Sequence, residues 1–173
     1  MTLERKDFQK LLFRTAFCIM ACDGHIDERE VKEIKWMNSH SSYFQGIDLS
    51  DELDELLADL KVKGKHIIDE LFEVIKQYNL STVQELLILE VAFRIANTDE
   101  KMHENEIKLI QYLRSKLHVH DETIRDRFGA VEYLFDKSYS KDIIKENTKL
   151  DLITNFNIPE YGDLVEFDFS KMR

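Results

Sequence analysis

Two pairs of carboxylates carry the clearest chemical potential in this 173-residue chain. Asp23 and Glu30 stand seven positions apart, and Asp99 and Glu106 repeat that spacing. Hard divalent ions take oxygen ligands, so four such acids brought to one place would hold a cation. Crowded without an ion, the same groups would repel one another. A local role is equally available to each residue. A glutamate in the first turn of a helix meets the positive end of the helix dipole, which is worth about 0.3–1 kcal/mol. An aspartate in a turn satisfies backbone donors. Recurrence does not choose between the two, because a duplication copies caps as faithfully as ligands.

Neighbouring residues narrow the chemistry. Asp23-Gly24-His25-Ile26 through Glu30 follows the back half of a calcium loop, but Ile19 and Ala21 fill the first two ligand positions, so an EF-hand is excluded. His25 and His103 flank the two turns and would suit Zn²⁺ or Mn²⁺, although polar turn residues need no metal. Glu100-Lys101-Met102-His103 has the E-x-x-H spacing of di-iron bundles, but it falls in a turn and lacks the further core glutamates. His118-Val119-His120-Asp121 reads as a capped loop between helices. Cys18 and Cys22 lie four apart in an apolar helical stretch, poorly oriented for a bridge, and read as buried free thiols. No nucleophile elbow, P-loop or dinucleotide fingerprint occurs, so the chain reads as non-enzymatic.

The elements that must position these acids are helices. Only 5 Gly and 1 Pro punctuate the chain, and apolar residues recur at helical spacing almost throughout. The first helix spans about Asp7 to Cys22, with Phe8, Leu11, Leu12, Thr15 and Ile19 on one stripe. Asp27 and Glu30 then form a capping box for a second helix bearing Val31, Ile34 and Met37. Ser50 is the expected cap of a third helix, and Gly64 separates that helix from a fourth. Ser81 and Gln84 make a second capping box. The fifth helix, Leu86 to Ala96, is apolar nearly all round and belongs at the centre. A sixth carries Ile107, Ile110 and Leu113, and Asp121 caps a seventh that reaches Val131 and Phe135. Beyond Leu150 the pattern changes: Pro159 stops helices, and Val165, Phe167 and Phe169 alternate with acids as a strand or docking tail would.

An internal duplication organises the chain. Ala16-Phe17-Cys18-Ile19 aligns with Ala92-Phe93-Arg94-Ile95, and Asp23 aligns with Asp99 at a separation of 76 residues. The register continues through Glu30 with Glu106, Ile34 with Ile110, and Met37 with Leu113. Each half is a helix, an acidic turn and a second helix. The fold class is all-α, with about seven helices in two pseudo-repeated hairpins. The expected division is a helical domain over 1–138 and a C-terminal extension over 139–173.

Charge sets the partner classes. Lys and Arg number 24 against 34 Asp and Glu, a net charge of −10, which lacks the electrostatic footprint of a nucleic-acid binder. No apolar run is long enough to span a bilayer, and the start of the chain is not a signal peptide, so a cytoplasmic location is expected. Six acids and no base lie between Asp48 and Asp59, an acidic face that a basic partner could use.

The doubled pattern, Ala21-Cys22-Asp23-Gly24-His25-Ile26 through Glu30 and Ala92-Phe93 through Asp99 and Glu106, resembles the TerB family of tellurite-resistance proteins and the related N-terminal domain of DjlA-type co-chaperones. The resemblance covers roughly Phe8 to Leu117. It implies a helical fold of two related hairpins, a divalent metal (Ca, Mg, Mn or Zn) at clustered acids, and protein partners, some membrane-associated, in stress and phage responses. Carried over, the metal ligands are Asp23, Glu30, Asp99 and Glu106. The second turn departs from the pattern in lacking glycine, no His-Pro-Asp triplet marks a J-domain, and the tail has no counterpart. The alternative expectation is a metal-independent scaffold that docks through the acidic third helix or the tail.

Overall fold

The computed structural model describes residues 3–22, 28–64, 66–98 and 104–135, and every regular element among them is an α-helix. In chain order these are α1 (Arg5–Ala21), α2 (Glu28–His40), α3 (Leu49–Lys63), α4 (His66–Gln77), α5 (Thr82–Ala96), α6 (Glu104–Lys116), α7 (Asp121–Phe128) and α8 (Glu132–Phe135). The extension over 139–173, with Val165, Phe167 and Phe169, lies outside the described residues.

Helices α1 and α5 pack along each other and form the centre. Phe13, Phe17 and Met20 of α1 are fully enclosed, as are Ile88, Leu89 and Ile95 of α5. This agrees with the apolar circumference read for the fifth helix. The outer helices obey the duplication: α2 packs on α5, and its counterpart α6 packs on α1.

Side-chain bonds repeat with the same period. Gln9 of α1 donates from Nε2 to the Ser42 carbonyl at 3.1 Å. Seventy-six positions on, Glu85 of α5 accepts from the His118 amide at 2.9 Å and the Val119 amide at 2.6 Å. In both halves the long helix ties down the segment that follows the second helix. Ser39 and Ser115 each donate to a carbonyl three residues back, Trp36 and Tyr112 respectively. Gly46 belongs to the first of these ties: a Cβ there would run into Gln9 Oε1.

The helix boundaries differ from expectation in two places. Asp48, not Ser50, caps α3: its Oδ1 accepts from the Ser50 amide at 2.9 Å and the Asp51 amide at 3.1 Å. A carboxylate at that position serves two orphan donors at once. The expected seventh helix is two pieces, since Gly129 has a φ of 80°, a conformation open to glycine and strained for other residues. Nor does Asp121 cap α7. It is the first helical residue, follows His120, and takes Arg114 Nη2 at 2.7 Å. The capping box of Ser81 and Gln84 is present as read.

The acids of α3 are largely turned to internal use. Glu52 is buried and faces Lys10 Nζ at 3.2 Å and Arg14 Nε at 4.0 Å. Glu55 faces Arg14 at 3.6 Å, and Asp59 faces Lys63 at 3.5 Å.

Candidate functional site

The acidic turns join the ends of the long helices to the starts of their partners. Asp23 and Asp99 fall between described segments, as do His25, Asp27, Glu100 and His103, so their placement lies outside the described residues. What flanks them is defined. Helix α1 closes with the Cys22 thiol donating to the Ile19 carbonyl at 3.1 Å, and α5 closes with the Thr98 hydroxyl donating to the Ile95 carbonyl at 2.9 Å. These two pairs are again 76 residues apart. Different side chains therefore perform one task, satisfying a carbonyl in the last turn.

On the far side of each turn, α2 opens with Glu28-Arg29-Glu30 and α6 with Glu104-Asn105-Glu106. Glu28 and Glu104 point outward, but Glu30 is 4% exposed and Glu106 is 3% exposed. Carboxylates are seldom this buried without partners, and both have interactions. Each is the third residue of its helix, where the dipole favours negative charge and where a capping box would turn the side chain back on the N-cap amide.

One contact joins the residues that flank the two turns. Asn105 Nδ2, in the first turn of α6, donates to the Cys22 carbonyl at the end of α1 with a separation of 3.3 Å. The residue beside Glu106 thus touches the residue beside Asp23. Tyr133 of α8 adds an electrostatic mark on Glu106: burial pushes its phenol above the usual range, and the Glu106 carboxylate adds to the effect. Neither residue was singled out in the sequence. Asn105 replaces Arg29 of the first copy, a difference that alignment of the halves exposes, whereas nothing local flags Tyr133.

Tested against a metal's needs, the described residues supply only part of a ligand set. No group of three or more His, Cys, Asp or Glu among them is placed to hold an ion. Glu30 and Glu106 carry hard oxygens of the kind Ca²⁺, Mg²⁺ or Mn²⁺ take, and the other two expected ligands, Asp23 and Asp99, lie outside the described residues. The thiols do not contribute to such a set. Both are buried and in no disulfide, and burial pushes the Cys18 thiol up to about 12, with Arg14 opposing it, so the metal-binding thiolate of Cys18 is suppressed. The His118–Asp121 stretch is occupied as a connection between α6 and α7: the His118 and Val119 amides are held by Glu85, and Asp121 by Arg114.

No helix among the described residues is long and apolar enough to cross a membrane. The sequence model of a family described as Tellurite resistance protein TerB matches residues 11–127. That span begins in α1, ends in α7 and contains both acidic turns. No curated protein and no solved structure matches the chain.

Proposed function

The chain belongs to the TerB tellurite-resistance family, and from that premise we propose that it is a non-enzymatic helical module whose paired acidic turns bind a divalent cation. Asp23 and Glu30 from one hairpin and Asp99 and Glu106 from the other are the proposed ligands. The observation that carries the reading is the Asn105–Cys22 bond, which seats the start of α6 against the end of α1. The residues that flank two turns from distant parts of the sequence thereby meet. Two buried glutamates in those helix starts give a cation carboxylates that bulk water does not screen. The bound ion would supply charge neutralisation at that junction and fix the hairpins against each other.

Cation binding at such a joint suits a module whose contacts with a protein partner depend on the ion. The scaffold alternative, docking by α3, has less support, because Glu52, Glu55 and Asp59 are met by Lys10, Arg14 and Lys63 of the same chain.

Thermal unfolding of chelator-treated protein, with and without Ca²⁺, Mg²⁺, Mn²⁺ or Zn²⁺, tests the proposal. An ion at about 100 times its Kd adds roughly 2.7 kcal/mol of stability. A rise in Tm that Asp23→Asn/Asp99→Asn abolishes is the expected result. No rise with any of the four ions would leave Glu30 and Glu106 as helix caps and sink the cation reading.

A further inference from the structure

The duplication relates two composite faces. In the first half α4 lies across α1 and also contacts α6, and its Ile67 and Leu71 line a cleft with Leu11, Arg14 and Cys18 of α1. Because α5 repeats α1 and α6 repeats α2, the matching face of the second half is made by α5 and α2. Its side chains are exposed where those of the first half are covered. Trp36 of α2 is 45% exposed, whereas Tyr112, its equivalent on α6, is 6% exposed. Leu87 is only partly buried where its equivalent Leu11 is enclosed. Trp36, Val62 and Val83 are the large apolar side chains exposed among the described residues, and two of them belong to this pair of helices.

The face has a definite length and charge. Helical spacing sets Val83, Leu87, Glu90 and Arg94 along one side of α5, a row about 16 Å long at 1.5 Å per residue, which is the span of a three-turn helix. At its end the Arg94 guanidinium lies 5.4 Å from the Trp36 ring centroid and 5.9 Å from that of Tyr43. Trp36 in turn stacks on His40, with centroids 4.9 Å apart. Arg29 and Lys32 are exposed and stand two turns and one turn before Trp36 on the same side of α2. The acids of the face are met within the chain: Glu33 by Arg94 at 3.5 Å, and Glu90 by the Tyr43 hydroxyl and by Arg127 at 2.9 Å. Lys32 forms no ion pair among the described residues. A chain of net charge −10 thus presents an aromatic and cationic row here.

The first half shows what such a face takes. Helix α4 buries Ile67, Ile68, Leu71, Phe72 and Ile75, and carries Asp69, Glu70 and Glu73 against Lys76. An exposed apolar row bordered by cations asks for the same combination of an apolar stripe and carboxylates. We propose that the α2–α5 face docks an amphipathic, acidic helix of a partner protein, seated on α5 and α2 as α4 is seated on α1 and α6. Trp36 is its apolar anchor, and Lys32 and Arg94 meet its carboxylates; Trp and Arg are the side chains that most often carry such contacts. The docking face is independent of a cation at the acidic turns.

The chain's single tryptophan reports on the face. The probe is an acetylated and amidated peptide with the sequence of residues 66–77, which contains no tryptophan. In the full chain without peptide, acrylamide should quench Trp36 as a half-exposed indole. Peptide should shift its emission blue and lower the quenching constant, with saturation below about 1 mM. Affinity should fall several-fold as salt is added. Lys32→Glu should weaken binding several-fold, while Lys61→Glu on α3 leaves it unchanged; both sites are exposed, and circular dichroism checks that each variant keeps its helices. A peptide carrying Asp69→Asn, Glu70→Gln and Glu73→Gln should bind several-fold more weakly. No saturable response of Trp36 overturns the proposal, as does equal binding of the neutral peptide or full affinity in Lys32→Glu. Weak quenching before peptide is added also overturns it: shielding lost on dilution would assign the face to a second copy, and shielding that persists would assign it to another part of the same chain.

Discussion

The two halves of this molecule share a plan and differ in charge. Arg14 of α1 faces Glu55 of α3, while Glu90 of α5, at the position equivalent to Arg14, faces Arg127 of α7. The ion pair is kept and its polarity is reversed. The tie between the long helix and the following loop differs likewise: Gln9 gives one hydrogen bond, and Glu85 accepts two backbone amides with its carboxylate. Position in the repeat dictates that a bond be made there, but not which chemistry makes it. Asp23 and Glu30, with Asp99 and Glu106, instead keep both position and identity in the two copies, as the Ser39 and Ser115 bonds do.

The widest predicted gap between the halves lies at the loop ties. Glu85→Ala strands the buried Val119 amide together with the His118 amide and should cost about 3 kcal/mol. Gln9→Ala releases one carbonyl, that of the exposed Ser42, and should cost only about 1 kcal/mol. Urea unfolding of the two variants measures the gap, and equal losses would show that the ties are energetically alike.

A smaller effect separates the halves at Tyr43, which donates its hydroxyl to Glu90 while Val119 occupies the equivalent site. Burial first, then the bond to Glu90 and that group's charge, push the phenol from 10.0 up to about 12. The unfolded phenol ionises first, so the contribution is complete below pH 10 and is lost as pH rises towards 12. Ultraviolet titration should show a late-ionising tyrosine that Tyr43→Phe removes, and the alkaline fall in stability should become shallower in that variant. An unchanged profile would detach Tyr43 from Glu90.

The smallest effect belongs to the reversed ion pair. A double-mutant cycle of Glu90→Gln and Arg127→Gln should return a coupling of about 0.2–1 kcal/mol, as exposed pairs do. Added salt should reduce it. A salt-insensitive coupling would mean that the pair is more deeply desolvated than Arg127, at 54% side-chain exposure, implies.

Much of the fold was legible because helical periodicity is a pattern of many residues. The duplication made it doubly so: Ala16 with Ala92 and Ile34 with Ile110 announce the same buried positions, and all four are fully enclosed. Boundaries were legible where a single motif fixed them, as at Ser81 and Gln84. They were missed where two candidates competed, as with Asp48 against Ser50, because the choice depends on which side chain reaches two amides. The break at Gly129 escaped because apolar spacing runs on through Val131 and Phe135. Of the candidate site, Glu30 and Glu106 were legible from register alone. Their burial was not, since a glutamate in a first turn is ordinarily a solvated cap. Asn105 and Tyr133 depend on packing between elements distant in sequence, which no local pattern encodes.

A chain made of two similar halves offers every helix two addresses, and helices can dock at the wrong one during folding or between copies. The reversed polarity labels those addresses. Helix α3 laid on α5 would set Glu55 against Glu90, and α7 laid on α1 would set Arg127 against Arg14. Each mistaken pairing brings like charges together, and such juxtaposition disfavours a wrong partner even where the right pair adds little stability. The exchanged charges thus act as a sorting code, one that lets a duplicated protein distinguish its own first half from its second.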